Sequence, residues 1–108
     1  MKRYASHFLF FPGYGCLSRH VVEMFEGHVV RIFPLTEEIE NTEWLPGIIA
    51  LLSDKDSDLP DFDKCGNKLT TIPADITEKL PFLTAFLFYP FDFTTMRPCA
   101  ETQRKPLR

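Results

Sequence analysis

The chain contains no run of about 20 apolar residues, the length a helix needs to cross a bilayer. It has one Trp, five Gly and three Cys in 108 residues, and its formal net charge is only −3. No Cys-x-x-Cys occurs, and an odd set of widely spaced cysteines (Cys16, Cys65, Cys99) does not describe a disulfide framework. The length excludes a catalytic barrel of about 250 residues. The basic opening Met1-Lys2-Arg3 precedes the apolar stretch Phe8-Leu9-Phe10-Phe11, but that stretch is too short for a secretory signal, and Pro12-Gly13 ends it. These observations lead us to expect a single cytoplasmic domain spanning residues 1–108, with reduced thiols and no membrane span.

What the chain has in abundance is aromatic and β-branched residues in short bursts, with hydrophobic residues at 44% and aromatics at 14%. Such bursts, bounded by Gly, Pro and Asp, are strand chemistry, because branched and aromatic side chains pack well on a pleated surface. Tyr4 to Phe11 forms the first run and Pro12-Gly13-Tyr14-Gly15 the turn that ends it. Leu17 to Phe25 and His28 to Phe33 flank Glu26-Gly27. A two-residue X-Gly link between alternating runs predicts a hairpin, since its turn requires positive φ. Ile48 to Leu52 is continuously apolar, as expected of a strand buried on both faces. Asp75-x-x-Glu78 has the spacing of a capping box and predicts a short helix over Ile76 to Leu80, stopped by Pro81. Leu83 to Tyr89 and Phe91 to Met96 are the last strong runs, with the tail after Pro98 expected to be at best partly ordered. The expected architecture is mainly β: six to eight short strands in a small sandwich or open barrel, with at most one short helix.

Charge is unevenly spread. Residues 37–63 hold Glu37, Glu38, Glu40, Glu43, Asp54, Asp56, Asp58, Asp61 and Asp63 against Lys55 alone, whereas Arg97 to Arg108 holds four basic residues against Glu101. An acidic middle argues against a nucleic-acid partner, which needs a basic face.

Sites of chemistry are sparse. Asp54, Asp56 and Asp58 open like a calcium loop, but Leu59 replaces the required Gly and Cys65 the bidentate Glu, so a solvated acidic loop is expected. His20, His28 and Cys16 are weak candidates for a metal or small-ligand site, since nothing in their spacing makes them converge; no metal or cofactor is expected. Gly13-Tyr14-Gly15-Cys16 has Ser18 where a nucleophile elbow or a dinucleotide fingerprint needs Gly, which leaves Cys16 as a small buried hydrophobe. Phe82, Phe86, Phe88, Tyr89, Phe91 and Phe93 are too many for one side of one strand. Alternation assigns Phe82, Phe86 and Phe88 to a common face, with the surplus open to two readings, core or association surface.

Glu26-Gly27-His28-Val29-Val30 and Leu45-Pro46-Gly47-Ile48-Ile49-Ala50 together resemble the small β-domain of amidohydrolase-type metallo-dependent hydrolases. There, a turn of the first kind precedes strands and a segment of the second kind enters the catalytic barrel, after which the chain returns to the β-domain. The resemblance implies that Leu83 to Met96 is the returning part. It places Leu52 and Asp54 at the positions of the family's first metal-binding His-x-His, and Leu52 cannot ligate a metal. About thirty residues separate Leu52 from the returning strands, far too few for a barrel. The resemblance thus implies the β-domain without its enzyme. The expectation is a non-catalytic domain that acts through self-association, as a homodimer, or through a protein partner, with a small-ligand or metal-binding module as the alternative.

Overall fold

The computed structural model describes residues 2–35, 42–53 and 66–107. The fold is mainly β. Among the described residues nine strands run as β1 (Lys2–Ala5), β2 (Phe8–Phe11), β3 (Gly15–Ser18), β4 (His20–Phe25), β5 (His28–Pro34), β6 (Thr42–Trp44), β7 (Ile48–Ser53), β8 (Leu83–Asp92) and β9 (Arg97–Pro106), with one helix, α1 (Ala74–Lys79), continued by a 3-10 turn at Leu80–Phe82. They build a four-stranded sheet ordered β5-β4-β1-β6 and a five-stranded sheet ordered β3-β2-β7-β8-β9.

The strand number exceeds the six to eight expected because two apolar runs each divide between sheets. Ser6-His7 carries the chain from β1 in the four-stranded sheet to β2 in the other, and Arg19 carries it back from β3 to β4. Ser6 is buried at this step and its hydroxyl donates to the Phe8 carbonyl at 2.6 Å. Arg19 takes a positive φ of 54°, and its N–H donates to the His7 carbonyl. A third crossing, Leu45-Pro46-Gly47, takes β6 into β7. Consequently β6 lies parallel to β1, β7 lies parallel to β2, and all three crossings gather at one corner of the sandwich.

The hairpin forms as the sequence requires. Glu26 (φ 52°) and Gly27 (φ 81°) occupy the two positive-φ positions of a primed turn, with Phe25 opposite His28. The aligned inner faces of the sheets form the main core, in which Leu9, Phe11, Val22, Met24, Val29, Ile49 and Leu51 interdigitate and Ile76 of α1 closes one end. β7 is central in its sheet, and its apolar run is buried on both faces, as expected. Phe10, Cys16, Ile48, Ala50, Leu52 and Phe88 project to the outer side of that sheet, where they form a second cluster with Phe91.

Three local expectations are corrected. Helix α1 begins earlier than the capping-box spacing suggested: Pro73 is its N-cap, and its carbonyl accepts from Ile76 and Thr77. Asp75 caps nothing and instead accepts a hydrogen bond from the Tyr14 hydroxyl at 3.1 Å. Phe82 does not share a strand face with Phe86 and Phe88; Pro81 holds it in the 3-10 turn, where it is the most exposed large hydrophobic described. The tail expected to be loosely ordered is the ten-residue strand β9, paired with β8 from Arg97 opposite Asp92 to Pro106 opposite Phe86. The calcium-loop residues Asp54, Asp56 and Asp58 lie outside the described residues, as does Cys65.

A candidate interaction surface at the sandwich corner

The three residues singled out for metal or ligand binding are not brought together. His20 begins β4 opposite Pro34, while His28 begins β5 opposite Phe25, at the other end of the same hairpin. Five residues of antiparallel strand separate them, roughly 17 Å at the usual rise. The His20 Nδ1 lies 2.9 Å from the Ser18 carbonyl. Cys16 is in the other sheet, opposite Phe10, and fully buried. It packs as the small hydrophobe expected of it, and neither Cys16 nor Cys99 is in a disulfide among the described residues. Among the described residues no group of three or more His, Cys, Asp or Glu is placed to hold a metal ion. No described helix is long and apolar enough to cross a membrane.

The fold does bring together a set of rings that sequence spacing alone does not connect. At the corner where the chain crosses between sheets, the imidazole of exposed His7 meets Trp44 edge to face, with ring centres 5.0 Å apart and planes at 90°. It also meets Phe93, at 5.8 Å and 72°. Phe93 in turn lies 5.7 Å from Phe8 and 5.5 Å from Phe91. These separations suit attractive aromatic pairs, whose positive edges approach negative faces. Phe91 and Phe8 anchor the group to the outer cluster of the five-stranded sheet. Trp44 and Phe93 nevertheless leave 44% and 37% of their surface in water.

Each position has a local cause. Trp44 ends β6 and faces away from the core because β6 pairs with β1 in the register Glu43 opposite Tyr4 and Trp44 opposite Ala5. Tyr4 packs inward, so Glu43 shares its side and Trp44 takes the other. Burial and the nearby Glu43 carboxylate both hold the Tyr4 hydroxyl above the ordinary tyrosine value. Phe93 sits in the β8–β9 turn, which Asp92 fixes by accepting N–H bonds from Thr94 (2.9 Å) and Thr95 (3.3 Å). Those bonds keep the Asp92 carboxyl below its usual range.

Away from this corner the surface of the four-stranded sheet is ionic. Arg3, Glu23 and Arg31 stand directly across β1, β4 and β5, and Glu23 is buried with Oε2 2.8 Å from Arg3 Nε and 3.4 Å from an Arg31 terminal nitrogen. The Arg3 hydrogen bond, aided by the Arg31 charge, holds Glu23 below its ordinary pKa despite its burial.

The sheet edges are closed to further strands in several ways. The outer side of β3 is occupied: the Cys16 N–H donates to the Asn67 carbonyl and its carbonyl accepts from Leu69. β5 carries a bulge at Val30, between Val29 opposite Met24 and Arg31 opposite Glu23. β6 is only three residues long. β9 has Pro98 and Pro106 near its ends and an outward bulge at 99–102 opposite Pro90, where the Thr102 hydroxyl donates to the Pro90 carbonyl and accepts from the Cys99 N–H. Bulges, prolines, short length and charge are the devices that prevent edge pairing.

No protein-family model, no curated protein and no solved structure matches this chain. Of the rings in this corner, Phe91 and Phe93 were legible in the sequence as part of an aromatic surplus. His7 and Trp44 were not, because only the parallel pairing of β1 with β6 brings them together.

Proposed function

We propose that the protein is a non-catalytic β-sandwich module that works by self-association, two copies meeting through the corner formed by Trp44, His7 and Phe93. The observation that carries this reading is the contrast between closed sheet edges and open rings. Trp and Phe side chains left partly in water beside a buried apolar cluster are the residue types that anchor interfaces.

The charge layout favours a second copy as the occupant. Glu43, on one flank of the corner, follows the acidic residues Glu37, Glu38 and Glu40 in sequence, while the other flank leads to Arg97 at the start of the basic β9. A two-fold axis through the corner would set Glu43 of each copy toward Arg97 of the other, which is the self-complementarity that an isologous interface requires. Sedimentation velocity tests the proposal. The wild type is expected to sediment as a dimer at tens of micromolar, and Trp44→Ala with Phe93→Ser as a folded monomer. A wild type that remains monomeric at those concentrations overturns it.

A further inference from the structure

Resting on that reading, we infer that His7 makes association pH-dependent: the corner pairs while the imidazole is neutral and separates when it is protonated. The geometry leaves His7 no way to stand aside. Its ring is in contact with both Trp44 and Phe93, so a surface that covers those two rings also meets the imidazole. A neutral imidazole can be buried at modest cost. An imidazolium loses its hydration in the interface and needs a compensating partner. In the separate chain, by contrast, the charged ring keeps its water and gains attraction from the adjacent π systems.

The charged groups on the elements around His7 do not supply that partner. On β6, Glu43 projects to the side of Tyr4, opposite to Trp44. In the β8–β9 turn, the Asp92 carboxylate is committed to the Thr94 and Thr95 N–H groups, and Arg97, opposite Asp92, carries a like charge. On the β3–β4 crossing, Arg19 carries a like charge and meets His7 through its backbone N–H, while His20 is turned to the Ser18 carbonyl. A symmetric dimer contains two copies of His7, so the response is doubled.

Dilution series by sedimentation velocity at about pH 7.5 and about pH 5, bracketing the range in which imidazoles ordinarily change charge, test this inference for the wild type, His7→Gln and His20→Gln. Far-UV circular dichroism establishes that the fold persists at both values. The wild type is expected to dimerise at least tenfold more weakly at the acid value, and Trp44 emission to fall over the same interval, because an imidazolium against the indole quenches it. His20→Gln keeps the response, whereas the dimer constant of His7→Gln becomes independent of pH, whatever its neutral value. A wild-type dimer constant that does not change with pH, or a His7→Gln response equal to that of the wild type, overturns the switch while leaving self-association standing. A wild type that is monomeric at both values overturns the association itself, and the switch with it.

Discussion

The four-stranded sheet buries one face and keeps charge on the other, whereas the five-stranded sheet is apolar on both. In the first, Val22, Met24, Val29 and Ile32 point inward and the Arg3–Glu23–Arg31 row points outward. In the second, Leu9, Phe11, Ile49 and Leu51 point inward while Phe10, Ile48, Ala50 and Phe88 form a separate outer cluster. The sheet whose outer face carries an ionic row can stop there. The sheet with two dry faces has to dispose of its outer apolar surface, and at the corner that surface continues through Phe8 and Phe91 into Phe93, His7 and Trp44. The exposed rings are therefore the margin of a second core, and the association we propose would extend that core across a two-fold axis.

The contrast is broken most severely by removing the outer cluster. Phe10→Ala or Phe88→Ala empties a fully buried position and is expected to cost about 4 kcal/mol, read by urea denaturation. A cost below about 1 kcal/mol would mean that the outer side is not a packed layer. Next in size is Glu23→Ala, expected to cost roughly 2 kcal/mol because it leaves Arg3 half-buried beside a lost partner. Its pH dependence has a definite sign. The folded-state pKa of Glu23 is lowered from the ordinary 4.5, so its contribution is present at neutral pH and is lost as pH falls below that value through the lower folded one. Glu23→Gln should therefore flatten the acid limb of the stability curve, as measured by denaturation midpoints across the acid range.

How far these features could be read beforehand varied with what each residue has to satisfy. The Glu26-Gly27 hairpin and the doubly buried β7 were legible because turn chemistry and continuous burial are local demands. The sheet switches at Ser6-His7 and Arg19 were not, since a short polar step between apolar residues reads as an interruption of one strand rather than as a crossing. β9 was hidden for a physical reason: an edge strand defended by Arg, Lys, Glu and Pro has the composition of a solvated tail. Phe82 was misplaced because Pro81 lengthens the helix by a turn instead of starting the strand. The aromatic surplus pointed to a surface, while its location depended on a parallel pairing between strands nearly forty residues apart.

A smaller effect sharpens the edge side of the comparison. Thr102→Val removes the hydroxyl that holds the β9 bulge and is expected to cost about 1 kcal/mol. The freed strand should also show concentration-dependent aggregation by light scattering, because the bulge no longer guards the edge. The smallest stability effect belongs to the corner: Trp44→Ser should move the denaturation midpoint by less than about 1 kcal/mol, since much of the ring is already in water. It should nonetheless abolish dimer formation, which separates association from folding.

The single tryptophan makes the central claim directly observable. Acrylamide quenching of Trp44 across a dilution series from tens of micromolar to the sub-micromolar range reports whether the corner is covered as copies associate. Quenching is expected to weaken and emission to shift to the blue as the dimer forms, both following the sedimentation isotherm. Equal quenching at every concentration while the sedimenting mass doubles would place the interface elsewhere and contradict it.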